Sequence, residues 1–267
     1  MITSAENLRD FDWIVVNTSA GKDSQAMMEV VCRAARLAGI IDRVVAVHAD
    51  LGKVEWEGAR TLAEFHAAVR GIRFEVVERE GQDLLEHIDE RGMFPDSGNR
   101  YCTSDHKRDP IAKLFTRLVA ESGPLGRPIR ILNCMGLRGQ ESPARAKKIS
   151  FEVNKRVSNG KRIVFNWLPL HDWSESEVWA RMEAGGLPHH AAYDLGMPRL
   201  SCCFCIFATP DALMIAGYYN RNLLRQYVAV EKKHNHTFRN KFSLASILAR
   251  LDAGEEPPTK APGWACA

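Results

Sequence analysis

The sequence predicts an α/β fold, a mostly parallel, doubly wound sheet followed by a smaller, largely helical subdomain that carries cysteines. Three observations predict it. Over the first 136 residues, short apolar runs rich in β-branched side chains alternate with stretches of helical spacing. The first such run leads into "NTSAGKDS", a turn of small residues that opens a helix. After Gly136 the alternation gives way to a hairpin pattern and then to helices.

Taken in order, "DWIVVNTS" is a buried strand, and "DSQAMMEVVCRAARLAG" is a helix that Gly39 closes. "DRVVAVHAD" gives the second strand and "VEWEGARTLAEFHAAVRG" the second helix. "IRFEVVER" is the third strand, "DLLEHIDERG" and "DPIAKLFTRLVAES" are helices, and "IRILNCMG" is the fourth strand. A βαβα order of this kind makes a parallel sheet with helices on both faces, and ligands then sit beyond the carboxyl ends of the strands. "TSAGKDS", "HADLG" and "GLRGQES" all follow strands, so they are expected along one edge. "FEVNKRVSNGKRIVFNWLPL" reads as two strands turning at Asn159-Gly160. "SESEVWARMEAGG" carries a capping box, Ser174 with Glu177, and ends at Gly185-Gly186. From Pro210 the chain reads as helical, then as a polar, Pro-rich tail. The expected division is a nucleotide-binding domain over residues 1–165 and a C-terminal subdomain over 166–267.

Composition narrows the classes. The chain has 267 residues, 45% hydrophobic, with a formal net charge of +3. That is enough to build a core, and it permits a polyanionic partner without demanding one. No apolar run approaches the roughly 20 residues of a membrane span, and the N-terminus lacks the basic start and apolar stretch of a secretion signal. The expectation is a cytoplasmic protein with no membrane partner. Seven cysteines in such a chain are not structural disulfides.

In "SAGKDS", Ser19 and Ser24 are hydroxyl donors to phosphate, Lys22 offsets charge, and Ala20 and Gly21 let the backbone approach. Asp23 either caps helix amides or holds a Mg²⁺ that bridges phosphate oxygens. The six residues alone fit a capped helix equally well. Arg138 and Glu141 of "GLRGQES" form either a phosphate clamp with its ordering carboxylate or a surface ion pair. In "LSCCFC", Cys202 and Cys205 stand as CxxC with Cys203 between them, and Cys102 lies about a hundred residues earlier. Such a set binds zinc, binds an iron–sulfur cluster, or acts as a redox dithiol. Three basic runs stand out, "GNRYCTSDHKR", "LRGQESPARAKK" and "KKHNHTFRNK", the first two read as loops. His106 has no partner identifiable in the sequence, and Trp167, Trp173 and Trp179 read as packing residues.

"SAGKDS" resembles the PP-loop of the ATP pyrophosphatases, usually written SGGxDS, in the form typical of the phosphoadenosine-phosphosulfate (PAPS) reductase-like branch. "HADLG", "GLRGQES" and the stretch from "NWLPLHDW" to "AAYDLG" resemble further motifs of that branch, in the same order, over residues 12–210. The resemblance implies cleavage of ATP between its α- and β-phosphates, with Mg²⁺. Ser19, Ala20, Gly21, Lys22, Asp23, Ser24, His48, Asp50, Gly136 and Arg138 would hold the nucleotide. Lys22, Asp23, Arg138 and Glu141 would carry the chemistry. It also implies a [4Fe–4S] cluster on Cys102, Cys202 and Cys205, with Cys203 as candidate fourth ligand and Zn²⁺ as the alternative.

Among members of the branch the chain looks most like the DNA phosphorothioation proteins. That would make a DNA backbone phosphate the acceptor and a cysteine desulfurase the sulfur donor, with Arg100, Lys107, Arg108 and Arg145 on the nucleic acid and a homodimer as the assembly. The alternatives are tRNA thiolation and sulfonucleotide reduction. Two departures bear on the last: Tyr101 precedes a single Cys102 where adenylylsulfate reductases show paired cysteines, and the C-terminal "PGWACA" gives Cys266 a setting unlike the ECGLH segment of PAPS reductases.

Overall fold

The computed structural model describes residues 8–262, so Cys266 lies outside the described residues. A six-stranded sheet has the order β3-β2-β1-β4-β6-β5, formed by β1 (Trp13–Asn17), β2 (Val44–Asp50), β3 (Arg73–Glu78), β4 (Ile129–Cys134), β5 (Phe151–Val153) and β6 (Arg162–Trp167). β1 pairs in parallel with β2 and with β4, and β4 pairs in parallel with β6. The last pairing, β5 on β6, is antiparallel, with Phe151 opposite Trp167. Its turn lies where Asn159-Gly160 marks it, with Asn159 and Arg162 exchanging main-chain bonds. The helices are α1 (Lys22–Leu37), α2 (Ala59–Val69), α3 (Leu84–Arg91), α4 (Tyr101–Thr103), α5 (Asp109–Ser122), α6 (Pro143–Ala146), α7 (Glu175–Gly185), α8 (Pro210–Tyr219), α9 (Arg221–His234) and α10 (Leu244–Asp252).

Two compact units interleave along the chain, one of residues 8–49, 60–77 and 110–189, the other of residues 50–59, 78–109 and 190–262. In the first, side chains alternate across the strands. Ile14 and Val16 of β1 join Met27, Met28, Val31 and Cys32 of α1 and Val178 and Met182 of α7 in one apolar cluster. Val15 faces the other way, with Val45, Ile131, Val164 and Leu114 and Leu118 of α5. A sheet buried on both faces explains why its strands read as continuous apolar runs. Each fully buried leucine contributes about 1.5–3 kcal/mol, so the register of β1 between β2 and β4 is strongly fixed. That register decides where the loop after β1 emerges.

In the second unit, α8, α9 and α10 pack closely around Gly217, where a Cβ would come within 2.9 Å of Leu224 Cδ2. Glu231, buried in α9, accepts from the main-chain N–H of Phe238 (2.7 Å), Leu244 (3.0 Å) and Ala245 (3.0 Å) and from Ser243 Oγ (2.7 Å). It reinforces the N-terminus of α10, whose N-cap is Ser243.

Three elements differ from the sequence reading. The second helix starts at Ala59, five residues later than Val54, because Gly52 (φ 75°) and Gly58 (φ 85°) adopt left-handed backbone that a helix cannot continue. The basic run "GNRYCTSDHKR" is mostly helical: α4 passes into a π-helical turn, Ser104–Arg108, that feeds α5. The second basic run holds a 3₁₀ turn, Gly139–Glu141, and α6, which Ser142 caps through Arg145 N–H (3.3 Å). Polar side chains and short lengths hid these turns, whose geometry comes from local capping rather than from an apolar face.

Candidate nucleotide-binding site

The site of the first unit grows from the ends of β1 and β4, neighbours in the sheet at the point where the strand order reverses. Asn17 joins them, its amide donating to Asn133 Oδ1 (2.7 Å) and to the Cys134 carbonyl (2.8 Å). Beyond Asn17 the chain turns sharply. Ala20 is fully buried with φ 58°, a left-handed conformation that costs an L-residue about 1–2 kcal/mol. Its N–H reaches Thr18 Oγ1 (3.3 Å). Ser24 closes the loop on itself, donating from Oγ to the Gly21 carbonyl (2.8 Å) and accepting from Ser19 N–H (3.2 Å). Gly21 is the N-cap of α1 and brings no side chain to occupy the first helical amides. A helix start of this kind suits an anion.

Lys22, Asp23 and Ser24 are all buried. Asp23 Oδ1 accepts from Arg138 Nε at 2.5 Å, and Asp23 Oδ2 stands 3.7 Å from Lys22 Nζ. Lys22 also pairs with Glu175 at the start of α7 (3.2 Å). The arginine arrives on the loop after β4, and that loop lies against the first one. At Gly136 a Cβ would come within 2.8 Å of the Asp23 carbonyl oxygen and 3.1 Å of Ser24 N, so glycine is the residue this crossing allows.

Glu141 holds the loop from behind, accepting from the Arg138 main-chain N–H (3.0 Å) and pairing with Arg145. Gln140 links the parts, its amide oxygen accepting from Arg138 Nη1 (2.9 Å) and from the Glu175 N–H (2.9 Å). Neither Gln140 nor Glu175 was singled out in the sequence. Gln140 lies inside the GxRxxES pattern, which is the signal that could have found it, whereas Glu175 has no signal beyond its place at a helix start.

The remaining nucleotide-site residues divide. His48 is buried, with Nδ1 3.1 Å from the Thr18 carbonyl, and so braces the loop. Asp50 belongs to the second unit, where its Oδ1 accepts from Gly52 N–H (2.8 Å) and shapes the turn after β2.

Cys102, Cys202, Cys203 and Cys205 also belong to the second unit and are free thiols. Burial pushes the Cys202 thiol well up, Lys107 opposes it, and the nearby thiols of Cys205 and Cys102 push it further. Burial also raises Cys205, again with Cys102 adding to the effect and Arg199 and Lys107 opposing it. Cys203 stands apart: burial pushes it up to about 12, and no other cysteine contributes. Its main-chain N–H donates to the Val54 carbonyl (2.9 Å). Cys102, Cys202 and Cys205 thus lie near enough for each thiolate to disfavour the others. Among the described residues, no group of three or more His, Cys, Asp or Glu side chains is gathered at metal-binding geometry.

The basic candidates are spread over both units. Arg100 lies over the Phe207 ring (5.1 Å) and donates to Thr103 Oγ1 (3.2 Å). Lys107 and Arg108 sit on the π-helical turn, Lys107 half-buried and Arg108 exposed. Arg145 is held by Glu141 in the first unit. In the same turn, His106 meets the partner the sequence concealed, His87 of α3, with Nε2 and Nδ1 3.0 Å apart. Among the described residues, no helix is long and apolar enough to cross a membrane.

The phosphoadenosine phosphosulfate reductase domain model matches residues 13–208. The chain belongs to that family. Its PP-loop is Ser19–Ser24, and both loops of the site lie inside the matched range. A 37.8 kDa protein of Escherichia phage 186 is 26% identical over 139 residues, which is 52% of this chain and 39% of the phage protein. The adenosine 5′-phosphosulfate reductase of Allochromatium vinosum is 26% identical over 201 residues, covering 74% of this chain and 69% of that one. The chain therefore spans less than half of the first relative and about two thirds of the second. Among solved structures, the FMN adenylyltransferase of Candida glabrata, crystallised with FAD and inorganic pyrophosphate, shares the fold at a TM-score of 0.50 and 12% identity, over 79% of this chain and 62% of that one.

Proposed function

We propose that this chain is an ATP pyrophosphatase that adenylates a nucleic-acid acceptor for sulfur transfer, a DNA backbone phosphate ahead of a tRNA base. The observation that carries the reading is the buried carboxylate of Asp23 on the phosphate loop, held at 2.5 Å by Arg138. A carboxylate repels a bare phosphate, so a polyanion settles there only with a cation between them. ATP with Mg²⁺ meets that condition, because Mg²⁺ usually takes one or two carboxylates together with substrate phosphates. Asp23 Oδ2, 3.7 Å from Lys22 and so beyond hydrogen-bond range, is the oxygen suited to the metal. When bound, Mg²⁺ neutralises charge on the phosphates.

The acceptor oxygen attacks the α-phosphorus, the bond to the bridging oxygen breaks, and pyrophosphate leaves. Lys22, the first amides of α1 and Arg138 stabilise the charge that gathers on the leaving group. Asp23 would hold the Mg²⁺, and Arg138, beside it, would offer its guanidinium to a phosphate. Sulfide, released from the persulfide of a partner cysteine desulfurase by a thiol reductant that is oxidised to a disulfide, then displaces AMP from the acceptor. Cys102, Cys202 and Cys205 are the ligands of a [4Fe–4S] cluster in this reading, with Cys203 outside the set. When bound, such a cluster would offer iron to sulfide, and the reading places the protein in the cytoplasm.

The name of the Allochromatium relative favours a second reading, sulfonucleotide reduction, in which one thiol attacks the sulfur of adenosine 5′-phosphosulfate and expels AMP, and a second thiol then releases sulfite as a disulfide forms. One experiment separates the two. Pyrophosphate release from ATP and Mg²⁺ is measured for the wild type and Asp23→Asn, beside sulfite release from adenosine 5′-phosphosulfate with a thiol. Pyrophosphate that disappears with Asp23→Asn supports the first reading. Sulfite without pyrophosphate overturns it.

A further inference from the structure

A cleft of about 350 Å³ opens at the carboxyl ends of β4 and β6, lined among others by Gly139, Gln140, Ala146, His171, Trp173 and Ser174. It lies wholly within the first unit. Small residues make it: Gly139 N–H donates to the His171 carbonyl at 2.7 Å, and a Cβ at Gly139 would sit 3.2 Å from that oxygen. One wall is fixed and planar. His171 Nε2 lies 3.1 Å from the Arg145 carbonyl and Nδ1 lies 3.0 Å from Asp172 Oδ1, so both ring nitrogens are engaged.

The second planar group is Trp173, which packs partly against the apolar core and also borders the cleft. Arg181 approaches this indole at 5.7 Å, near the outer limit of a cation–π contact, about 6 Å. Such a weakly held cation yields to a ring that stacks. Lys147 and Lys148, both exposed, follow Ala146 of the cleft lining directly in the chain and bring two positive charges next to it in sequence. Gln140 joins the cleft to the PP-loop, since its amide oxygen accepts from Arg138 Nη1, and Arg138 holds Asp23.

An indole, an immobilised imidazole, an amide and nearby lysines, in a space the size of one nucleotide, suit a single base with its sugar and phosphate. A base pair does not fit such a space. We propose that this cleft takes one unpaired nucleotide of a nucleic-acid strand, with the base on Trp173 and the backbone at Lys147 and Lys148. The role as acceptor site rests on the pyrophosphatase reading, whereas the binding itself does not. A duplex substrate would have to release the nucleotide from its stack, at a cost that single strands avoid.

The test is fluorescence anisotropy with labelled oligo(dT) and oligo(rU) ten-mers and the matching duplexes, without ATP. The proposal expects either single strand to bind at least tenfold tighter than its duplex, and the tighter of the two names the polymer. Trp173→Leu fills the core but cannot stack as an indole does, so it should weaken binding about tenfold, with Trp173→Phe retaining most of it. Lys147→Ala/Lys148→Ala should lower the slope of log K against log salt by about 1.4, since each strand phosphate contact contributes about 0.7. Duplex binding equal to single-strand binding, or equal binding by the Trp173→Leu and Trp173→Phe variants, overturns the proposal. Pyrophosphate release on the same preparations separates the claims. Release without strand binding removes the cleft assignment alone, and strand binding without release removes the pyrophosphatase reading alone.

Discussion

Arg138 Nε donates to Asp23 Oδ1 across 115 residues of sequence, at 2.5 Å and with both side chains almost wholly buried. The pair joins the loop after β1 to the loop after β4 and balances charge that the interior would otherwise reject. Removing Arg138 leaves the buried Asp23 with only Lys22, 3.7 Å away and not hydrogen-bonded to it, to balance it. Arg138→Ala should therefore cost about 3 kcal/mol in urea unfolding. Adding Asp23→Asn should recover part of the loss, because the remaining group is then neutral.

Gly136→Ala tests the crossing of the two loops. The new methyl would meet the main chain of Asp23 and Ser24, at 2.8 and 3.1 Å, and backbone cannot swing aside as a side chain does. The expected outcome is a loss of about 1–3 kcal/mol and a nucleotide affinity reduced at least tenfold, measured by calorimetric titration with a non-hydrolysable ATP analogue.

How much of this was legible in the sequence depends on whether a feature is local. The capping box Ser174–Glu177, the turn at Asn159-Gly160 and the left-handed Gly39 after α1 formed where they were read, because each is set by a few adjacent residues. The turn of small residues that opens α1 was legible, yet the partner of Asp23 was not, since pairing over 115 residues depends on strand order. His87 and His106 show the same limit. Neither residue type nor spacing announces a buried imidazole pair, which needs α3 and the π-helical turn to meet. The turn itself escaped notice because its sequence, "SDHKR", has no apolar stripe to mark it as helical. Of the three tryptophans read as packing residues, Trp167 is buried, whereas Trp173 and Trp179 are only partly so.

The imidazole pair makes stability pH-dependent. Burial, with His87 and Arg79 adding to it, lowers His106 to about 4, and burial and Arg79 lower His87 as well. Asp105 and Asp83 oppose the shift at His106, and Asp105 and Glu90 oppose it at His87, without reversing either. Both folded values lie below the unfolded one, about 6.5, so the unfolded chain binds more protons as pH falls. Stability is fully present above pH 6.5 and drains away as pH falls from there to about 4. His106→Gln, which keeps a hydrogen-bonding group but does not titrate, should flatten the dependence of urea midpoint on pH over that window.

Glu231 offers a prediction about the second unit. Glu231→Leu would leave the main-chain N–H groups of Phe238 and Leu244 and the Ser243 hydroxyl without their acceptor, whereas Ala245 N–H keeps Ser243 Oγ (3.0 Å). A loss of about 2–4 kcal/mol is expected, read as earlier thermal unfolding. Glu231→Gln should be milder, because the amide keeps one accepting oxygen.

Among the thiols, Cys203→Ser should leave the iron and acid-labile sulfide content of anaerobically purified protein unchanged, whereas Cys102→Ser, Cys202→Ser and Cys205→Ser should each reduce it severely. Zinc in place of iron across the series would remove the cluster assignment.

The central claim is that the PP-loop directs cleavage to the α-phosphorus of ATP. ³¹P NMR of ATP and Mg²⁺ incubated with the protein, in the presence of a single-stranded oligonucleotide, tests it most directly. The account expects inorganic pyrophosphate together with AMP or an adenylylated strand, and neither product with Asp23→Asn. ADP with orthophosphate, or ATP left intact while adenosine 5′-phosphosulfate yields sulfite, would contradict it.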